Sequence, residues 1–108
     1  MYEPSRHMAT YYIAGFQHWD GALALDKLKP GTELRLAPEP ENPYDPEAMA
    51  IYFEGTKLGY VPASENGAVS VMCFYGHADA FELRVLQVDE EADPWKQVRV
   101  GLYVGDAR

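Results

Sequence analysis

Short segments with an alternating apolar period constrain the fold of this chain more than any other feature. In "TELRLAP", Leu34 and Leu36 are separated by polar residues, which is the pattern of a half-buried β-strand. "EGT" lies between two such segments and predicts a hairpin turn in which Gly55 takes a positive φ. Five further segments are rich in β-branched and aromatic residues: "MATYYIAGF", "AMAIYF", "KLGYVP", "AFELRVLQV" and "KQVRVGLYV".

One segment has a clear helical period. In "SENGAVSVMCFYG", the side chains of Val69, Met72 and Cys73 fall on one stripe of a helix. Ser64 is suited to cap the start of this helix, and Gly76 is suited to end it. "GALALDKL" predicts no more than a short helical turn, which "KPG" ends.

These elements predict a mainly β fold with one principal α-helix, arranged as a small antiparallel barrel of the OB-like or SH3-like kind. A ferredoxin-like sandwich is less suitable, because its first helix would be longer than "GALALDKL". We expect the following side chains to form the core: Leu34, Leu36, Ile51, Leu58, Val61, Val69, Met72, Leu83, Val85, Val98 and Val100.

The composition is that of one globular domain. A chain of 108 residues with 47% hydrophobic residues can bury a single core. We expect the barrel to span residues 9–105, with an N-terminal tail at 1–8 and a C-terminal tail at 106–108. No apolar run approaches the length of a membrane span, and the N-terminus lacks the apolar core of a signal peptide.

The residues that usually carry catalysis or bind metals are sparse. Cys73 is the only cysteine, so an internal disulfide and a cysteine-based zinc site are both excluded. His7, His18 and His77 have no metal-ligand spacing, and no phosphate-binding glycine loop or nucleophile motif is present. We therefore expect a cytoplasmic protein that is not an enzyme, with no metal, no cofactor and no membrane partner.

The connection "EPENPYDPEA" is unusual for a link between two strands. It holds three prolines, which restrict φ, together with Asn42, Tyr44 and Asp45. A linker that needs only flexibility would not combine rigid residues with an aromatic ring and an acid. The pattern predicts a loop that fixes these side chains in place.

This connection also resembles a known family. "EPENPYDPEAMAIYFEGTKLGYVP" is similar to the central signature of HIRAN domains, with its Asn-Pro-Tyr-Asp core and Gly-Tyr-Val-Pro turn. "YYIAGF" resembles the opening strand of the family and "VRVGLYV" its closing strand, so the likeness covers nearly the whole chain. It implies an OB-like barrel of the stand-alone bacterial type. It also implies binding of the free 3′-hydroxyl end of single-stranded DNA, in repair or remodelling, alongside a helicase or another repair protein.

The resemblance assigns roles to four residues. Tyr44 would stack on a base, Asp45 would accept a hydrogen bond from a sugar hydroxyl, and Asn42 would bond a phosphate or fix the loop. Tyr60 falls at a position that faces the nucleotide site in the family. Structural roles remain open for each: Asx-turns for Asn42 and Asp45, a plug at the barrel end for Tyr44, and a core position for Tyr60.

Three further positions match family contacts less closely. Gln17 and His18 stand where the nucleic-acid-binding members can carry a basic residue followed by an aromatic. Trp95 stands where those members place an aromatic near the bound strand, and the alternative is a loop tryptophan that folds over the barrel mouth. After "GYVP" many relatives have a basic residue, whereas this chain continues "ASE".

The charge balance opposes the DNA hypothesis. Nine lysines and arginines against 17 acids give a net charge of −8, which repels phosphates at long range. Two hypotheses therefore remain. The first is a module that binds single-stranded DNA ends, and the alternative is a protein-interaction or regulatory barrel that has lost its affinity for nucleic acid.

Overall fold

In a computed structural model, residues 5–105 form six strands and two helices. The strands and helices are β1 (Ser5–Tyr12), α1 (Gly21–Ala24), β2 (Glu33–Pro38), β3 (Met49–Phe53), β4 (Thr56–Tyr60), α2 (Gly67–Phe74), β5 (Phe81–Val88) and β6 (Val98–Gly105). Short 3₁₀ turns lie at Phe16–His18, Leu25–Lys27, Ala78–Ala80 and Pro94–Lys96.

The limits of the domain differ from the predicted ones at the N-terminus. Residues 5–8, which the sequence analysis assigned to a tail, form the start of β1, and residues 5–7 pair with β6. The remaining predicted tail segments, 1–4 and 106–108, lie outside the described residues. Within residues 5–105, no helix has the length and apolarity that crossing a membrane requires.

The strands form one antiparallel sheet in the order β1-β6-β5-β2-β3-β4. The two edges of the sheet come together at a single pair of residues, one just after β1 and the other at the end of β4. Ala14 and Tyr60 exchange two backbone hydrogen bonds of 2.8 Å each, so the curled sheet meets itself at one point rather than along a full ladder. The predicted mainly β, OB-like class is confirmed.

Gly59 permits this meeting of the sheet edges. Its φ is +150°, and a Cβ atom at this position would lie 2.4 Å from the backbone oxygen of Ala14 and 2.7 Å from Ile13 Cγ2. No side chain can replace the hydrogen there without moving backbone. The glycine of "GYVP" is therefore required by the closure of the sheet.

The core lies inside the curled sheet. Its fully buried side chains are Ile13, Phe16, Met49, Ile51, Leu58, Val61, Leu83, Val85, Val98 and Val100. Of the predicted core, Leu34 and Leu36 are half-buried and pack against this cluster. Met72 was predicted wrongly, because its side chain is 40% exposed.

Helix α2 explains the error at Met72. The helix begins at Gly67, and Val69, Ser70 and Cys73 form the face that packs on the sheet. Met72 lies outside this stripe, although the spacing alone allowed it. The predicted cap at Ser64 is also wrong, because the helix is preceded by Asn66, whose side chain makes no capping bond.

Three further predictions concerned where an element ends or turns, and the structure confirms two of them and corrects the third. Gly76 follows α2 with a φ of +90°, and the His77 N–H bonds the Met72 carbonyl across it, as in a Schellman motif. Gly55 has the predicted positive φ, at +85°. The first strand, however, ends at Tyr12 rather than Phe16, because the chain turns at Gly15 with a φ of +69° and enters a 3₁₀ turn.

Candidate nucleic-acid interface

The Asn-Pro-Tyr-Asp segment is the end of the β2–β3 hairpin. Strand pairing runs up to Pro38 and Met49, and the Glu39 N–H then donates to the Ala48 carbonyl at 2.9 Å. The Asn42 N–H bonds the Glu39 carbonyl at 3.0 Å and closes a turn inside the loop. The segment from Glu39 to Ala48, hereafter the NPYD loop, is therefore held at its base by the sheet.

Two side chains fix the shape of the NPYD loop from within. Asn42 Oδ1 accepts hydrogen bonds from the backbone N–H groups of Tyr44 (2.9 Å) and Asp45 (3.1 Å). Asp45 Oδ1 accepts from the Glu47 N–H at 2.9 Å, and Asp45 Oδ2 accepts from Asn66 Nδ2 at 2.8 Å. The loop is thus built from Asx-type turns and is joined to the start of α2.

Tyr44 is the residue that this bracing leaves in solvent. Its side chain is 95% exposed, although the backbone that carries it is bonded on both sides. The alternative role for Tyr44, a plug at the barrel end, is therefore excluded. An aromatic ring held on a fixed loop and covered by nothing offers an apolar face to a ligand at little conformational cost.

Trp19 and Tyr60 form a wall of a cavity that the NPYD loop also lines. Their ring centroids lie 6.0 Å apart in an edge-to-face arrangement, and Trp19 is 41% exposed. Lys57 Nζ lies 3.8 Å from the centre of the Trp19 ring and 4.4 Å from that of Tyr60. The ammonium therefore links the two rings by cation–π contacts.

A polar network connects this wall to the NPYD loop. Lys57 Nζ lies 2.6 Å from Glu39 Oε2 and 2.6 Å from the Tyr60 hydroxyl. That hydroxyl donates to Glu39 Oε1 at 2.9 Å, and Asn42 Nδ2 donates to the same oxygen at 3.2 Å. Each member holds two or more of the others, so the wall and the loop form one rigid unit.

The network also sets the ionisation of its charged pair. Burial favours the neutral acid, but hydrogen bonds from Lys57, Tyr60 and Asn42 outweigh it and lower the pKa of Glu39. Burial opposes the charge of Lys57 as well, and its bonds to Glu39 and Tyr60 outweigh this and raise the pKa of Lys57. Both groups are therefore charged at neutral pH.

The NPYD loop and the Trp19–Tyr60 wall line an open, mainly apolar cavity of about 860 Å³. This volume is within the usual size range of ligand sites. Four predicted site residues, Asn42, Tyr44, Asp45 and Tyr60, all line it. The described charged residues around it are Lys57 and three acids, Glu39, Glu41 and Asp45. Its lining therefore offers aromatic surface rather than positive charge.

The sequence profile of the HIRAN domain matches residues 7–104. The chain belongs to the HIRAN domain family. HIRAN domains are nucleic-acid-binding modules, and the NPYD loop carries the Asn-Pro-Tyr-Asp core of the signature by which the sequence resembled them.

Two solved structures have the same fold. A protein from Lactobacillus plantarum is 22% identical, with a TM-score of 0.76 over 93% of this chain and 94% of its own. The HIRAN domain of human HLTF is 14% identical, with a TM-score of 0.62 over 95% of this chain and 82% of its own. No curated protein matches the chain by sequence.

The other three predicted site residues do not line the cavity of this HIRAN domain. Gln17 and His18 are exposed on the 3₁₀ turn that follows β1, and Trp95 is exposed on the turn Pro94–Lys96. These two turns lie close to each other, and the first leads directly into Trp19. Their part in binding stays a prediction.

Three residues that shape the cavity wall, Trp19, Glu39 and Lys57, are among those that the sequence analysis missed. Trp19 carried a usable signal, since it is an aromatic residue directly after Gln17 and His18, the two positions of "GFQHW" that were matched to family contacts. Glu39 and Lys57 carried none, because they are 18 positions apart and meet only through the sheet. Among residues 5–105, no group of histidine, cysteine and acidic side chains is arranged to hold a metal.

Proposed function

We propose that this HIRAN domain binds the 3′-hydroxyl end of single-stranded DNA in the cavity beside the NPYD loop. The observation that carries the proposal is the exposed Tyr44 ring on a loop whose backbone is already fixed. A base that stacks on this ring gains roughly 1–3 kcal/mol without any demand on its sequence. Little of that gain is lost to ordering the loop.

Each wall of the cavity has its own part in the proposed complex. Tyr44 and Trp19 supply the aromatic surface for the terminal bases. Asp45 Oδ1 and Oδ2 each accept one bond from the protein, and each carboxylate oxygen has a second lone pair that can accept a sugar hydroxyl. A terminal phosphate in the same place would be repelled by this charge, which favours a free 3′ end.

The charges of the domain set the strength of the proposed interaction. An acidic protein with a single lysine among the described cavity residues neutralises few phosphates. We therefore expect modest affinity and a shallow salt dependence, on the order of one to three ion equivalents. Stacking and hydroxyl recognition dominate the contact, which is confined to the terminal nucleotides.

The wider setting follows from the same proposal. The domain acts as a binding module and not as an enzyme, in the cytoplasm, where a helicase or another repair protein uses the bound end. The side chains in the network beside the NPYD loop bond one another, as expected for a rigid binding wall. Cys73, a buried free thiol, is compatible with a reducing compartment.

Fluorescence anisotropy with short labelled oligonucleotides tests the proposal. At low salt, the wild-type domain should bind a strand ending in a 3′-hydroxyl more tightly than the same strand ending in a 3′-phosphate. Tyr44→Ala should weaken binding to every sequence about equally, by about 5- to 150-fold, which corresponds to the loss of one stacked base.

Tyr75→Ala is the matched control, because Tyr75 is also an exposed tyrosine but lies at the end of α2, away from the cavity. It should retain wild-type affinity. If the wild-type domain binds no 3′-hydroxyl strand at low salt and high protein concentration, the proposal is wrong. If both tyrosine variants lose affinity alike, the cavity is not the binding site.

A protein-interaction or regulatory role is the second candidate. The observation that favours it is the excess of acids around the cavity, where Glu39, Glu41 and Asp45 accompany one lysine that is already paired. An apolar cavity with an acidic rim suits a protein segment that carries a basic and an aromatic side chain. This role would lead if the oligonucleotide experiment gave no binding.

A further inference from the structure

The Lys57 ammonium has two hydrogen-bond partners and a cation–π contact inside the cavity wall. The group has three donors, and its near neighbours are Glu39 Oε2 at 2.6 Å, the Tyr60 hydroxyl at 2.6 Å and the face of the Trp19 ring at 3.8 Å. The side chain of Lys57 is 15% exposed. It therefore has no free donor for an incoming phosphate.

Glu39 is held in place as firmly as Lys57. Its Oε1 accepts from the Tyr60 hydroxyl and from Asn42 Nδ2, while Oε2 accepts from Lys57, and the side chain is 26% exposed. Because Asn42 also fixes the NPYD loop, the carboxylate cannot swing away without disturbing the loop. A phosphate would have to displace a carboxylate that three groups hold.

The other charges at the cavity strengthen this effect. Glu41 and Asp45 line the same space, and neither forms an ion pair with Lys57 within the described part of the chain. A phosphate approaching Lys57 thus meets one neutralised cation and two uncompensated carboxylates. Partial burial weakens the screening of the Asp45 charge by solvent, whereas Glu41 is exposed.

We propose that Glu39 is a specificity-determining residue: by occupying Lys57, it restricts the cavity to ligand ends that carry no phosphate. The inference rests on the proposed function for the identity of the ligand. It adds that Asp45 does not discriminate alone, because the Glu39–Lys57 pair also sets the charge preference of the cavity. Lys57 serves as a positioning residue for Trp19 and Tyr60.

Glu39→Gln tests the inference, since the amide keeps an oxygen that accepts from Tyr60 and Asn42 but removes the negative charge. The variant should bind a 3′-phosphate strand about tenfold more tightly than the wild type does, the change expected from one partly screened charge contact. Its salt dependence on that strand should rise by about one ion equivalent. Its affinity for the 3′-hydroxyl strand should change much less.

Glu41→Gln is the matched control, with the same change of charge in the same cavity but no pairing with Lys57. It should give a smaller gain, shared between the two strands. In the double variant Glu39→Gln/Lys57→Gln, the gain for the 3′-phosphate strand should disappear. An equal gain in Glu41→Gln, or a gain that survives the loss of Lys57, would overturn the inference.

A measurement without DNA separates the inference from the proposed function. NMR titration of Lys57 in the wild-type protein should give a pKa above its ordinary 10.5, and Glu39→Gln should lower it. If the pKa of Lys57 is not raised, the pair does not form and the inference fails whatever the DNA results. If the wild type binds no 3′-hydroxyl strand but Glu39→Gln gains affinity for the 3′-phosphate strand, only the proposed function fails.

Discussion

Replacing Gly59 with alanine should weaken the point at which the sheet meets itself. The added Cβ would lie 2.4 Å from the backbone oxygen of Ala14, which accepts the hydrogen bond from the Tyr60 N–H. Separations below 3.0 Å to backbone force the chain to move, and the φ of +150° is itself strained for any residue with a side chain. Both effects act on the same short segment.

The expected loss of stability follows from these two contributions. The unfavourable φ costs about 1–3 kcal/mol, and the steric overlap costs about 1–3 kcal/mol more. The sum, about 2–6 kcal/mol, is a large part of the roughly 5–15 kcal/mol that stabilises a domain. Urea unfolding followed by circular dichroism measures it, and the Tm should fall by at least about 8 °C, at roughly 4 °C per kcal/mol.

Gly55→Ala provides the matched comparison. Gly55 also has a positive φ, at +85°, but a Cβ there would meet nothing within 4 Å. This variant should lose only the conformational contribution, about 1–2 kcal/mol. If Gly59→Ala is no less stable than Gly55→Ala, the close approach between Gly59 and Ala14 does not limit the fold and the reasoning is refuted.

Two further predictions concern the cavity. Asp45→Asn should lower the free energy of unfolding by about 1–2 kcal/mol, measured in urea, because Glu47 N–H and Asn66 Nδ2 bond different oxygens of Asp45 and the amide replaces one of them with an NH₂ donor. The variant should also relax discrimination against a 3′-phosphate. Unchanged stability would contradict the bonding of the NPYD loop. At pH values above 4.5, the ordinary pKa of Glu39, the Glu39–Lys57 pair should stabilise the folded state. This stabilisation should be lost as the pH falls through the lowered pKa of Glu39 in the folded state. Wild-type protein should therefore lose more stability than Glu39→Gln on acidification below about pH 4.5, and parallel pH profiles would exclude the pair's contribution.

Local sequence predicted the elements better than their ends. The alternation in "TELRLAP" and the glycine in "EGT" depend on neighbouring residues only, and strand β2 and the turn at Gly55 formed as predicted. The end of the first strand was wrong because a turn at Gly15 interrupts an otherwise suitable run of residues. Met72 was placed in the core because the spacing of a short helix fits more than one face, and only the position of the sheet selects among them.

In the NPYD loop, too, neighbouring residues predicted some features and only the tertiary structure determined others. Its prolines and its Asn and Asp residues predicted a fixed loop, and the bonds of Asn42 and Asp45 to nearby N–H groups are local. The exposure of Tyr44 could not be predicted from neighbouring residues, because the same loop sequence was also compatible with a ring that plugs the barrel end. The curvature of the sheet decides which side of the loop is filled by protein.

What the sequence alone determined is the family, the mainly β class and the stiffness of the NPYD loop, since each rests on residues close together in the chain. The tertiary structure decided the charge of the cavity. Glu39 and Lys57 meet because β3 pairs with both β2 and β4, and the fold brings Trp19 over the same ammonium. Contacts between distant positions depend on strand register and on the closure of the sheet, which no local pattern encodes.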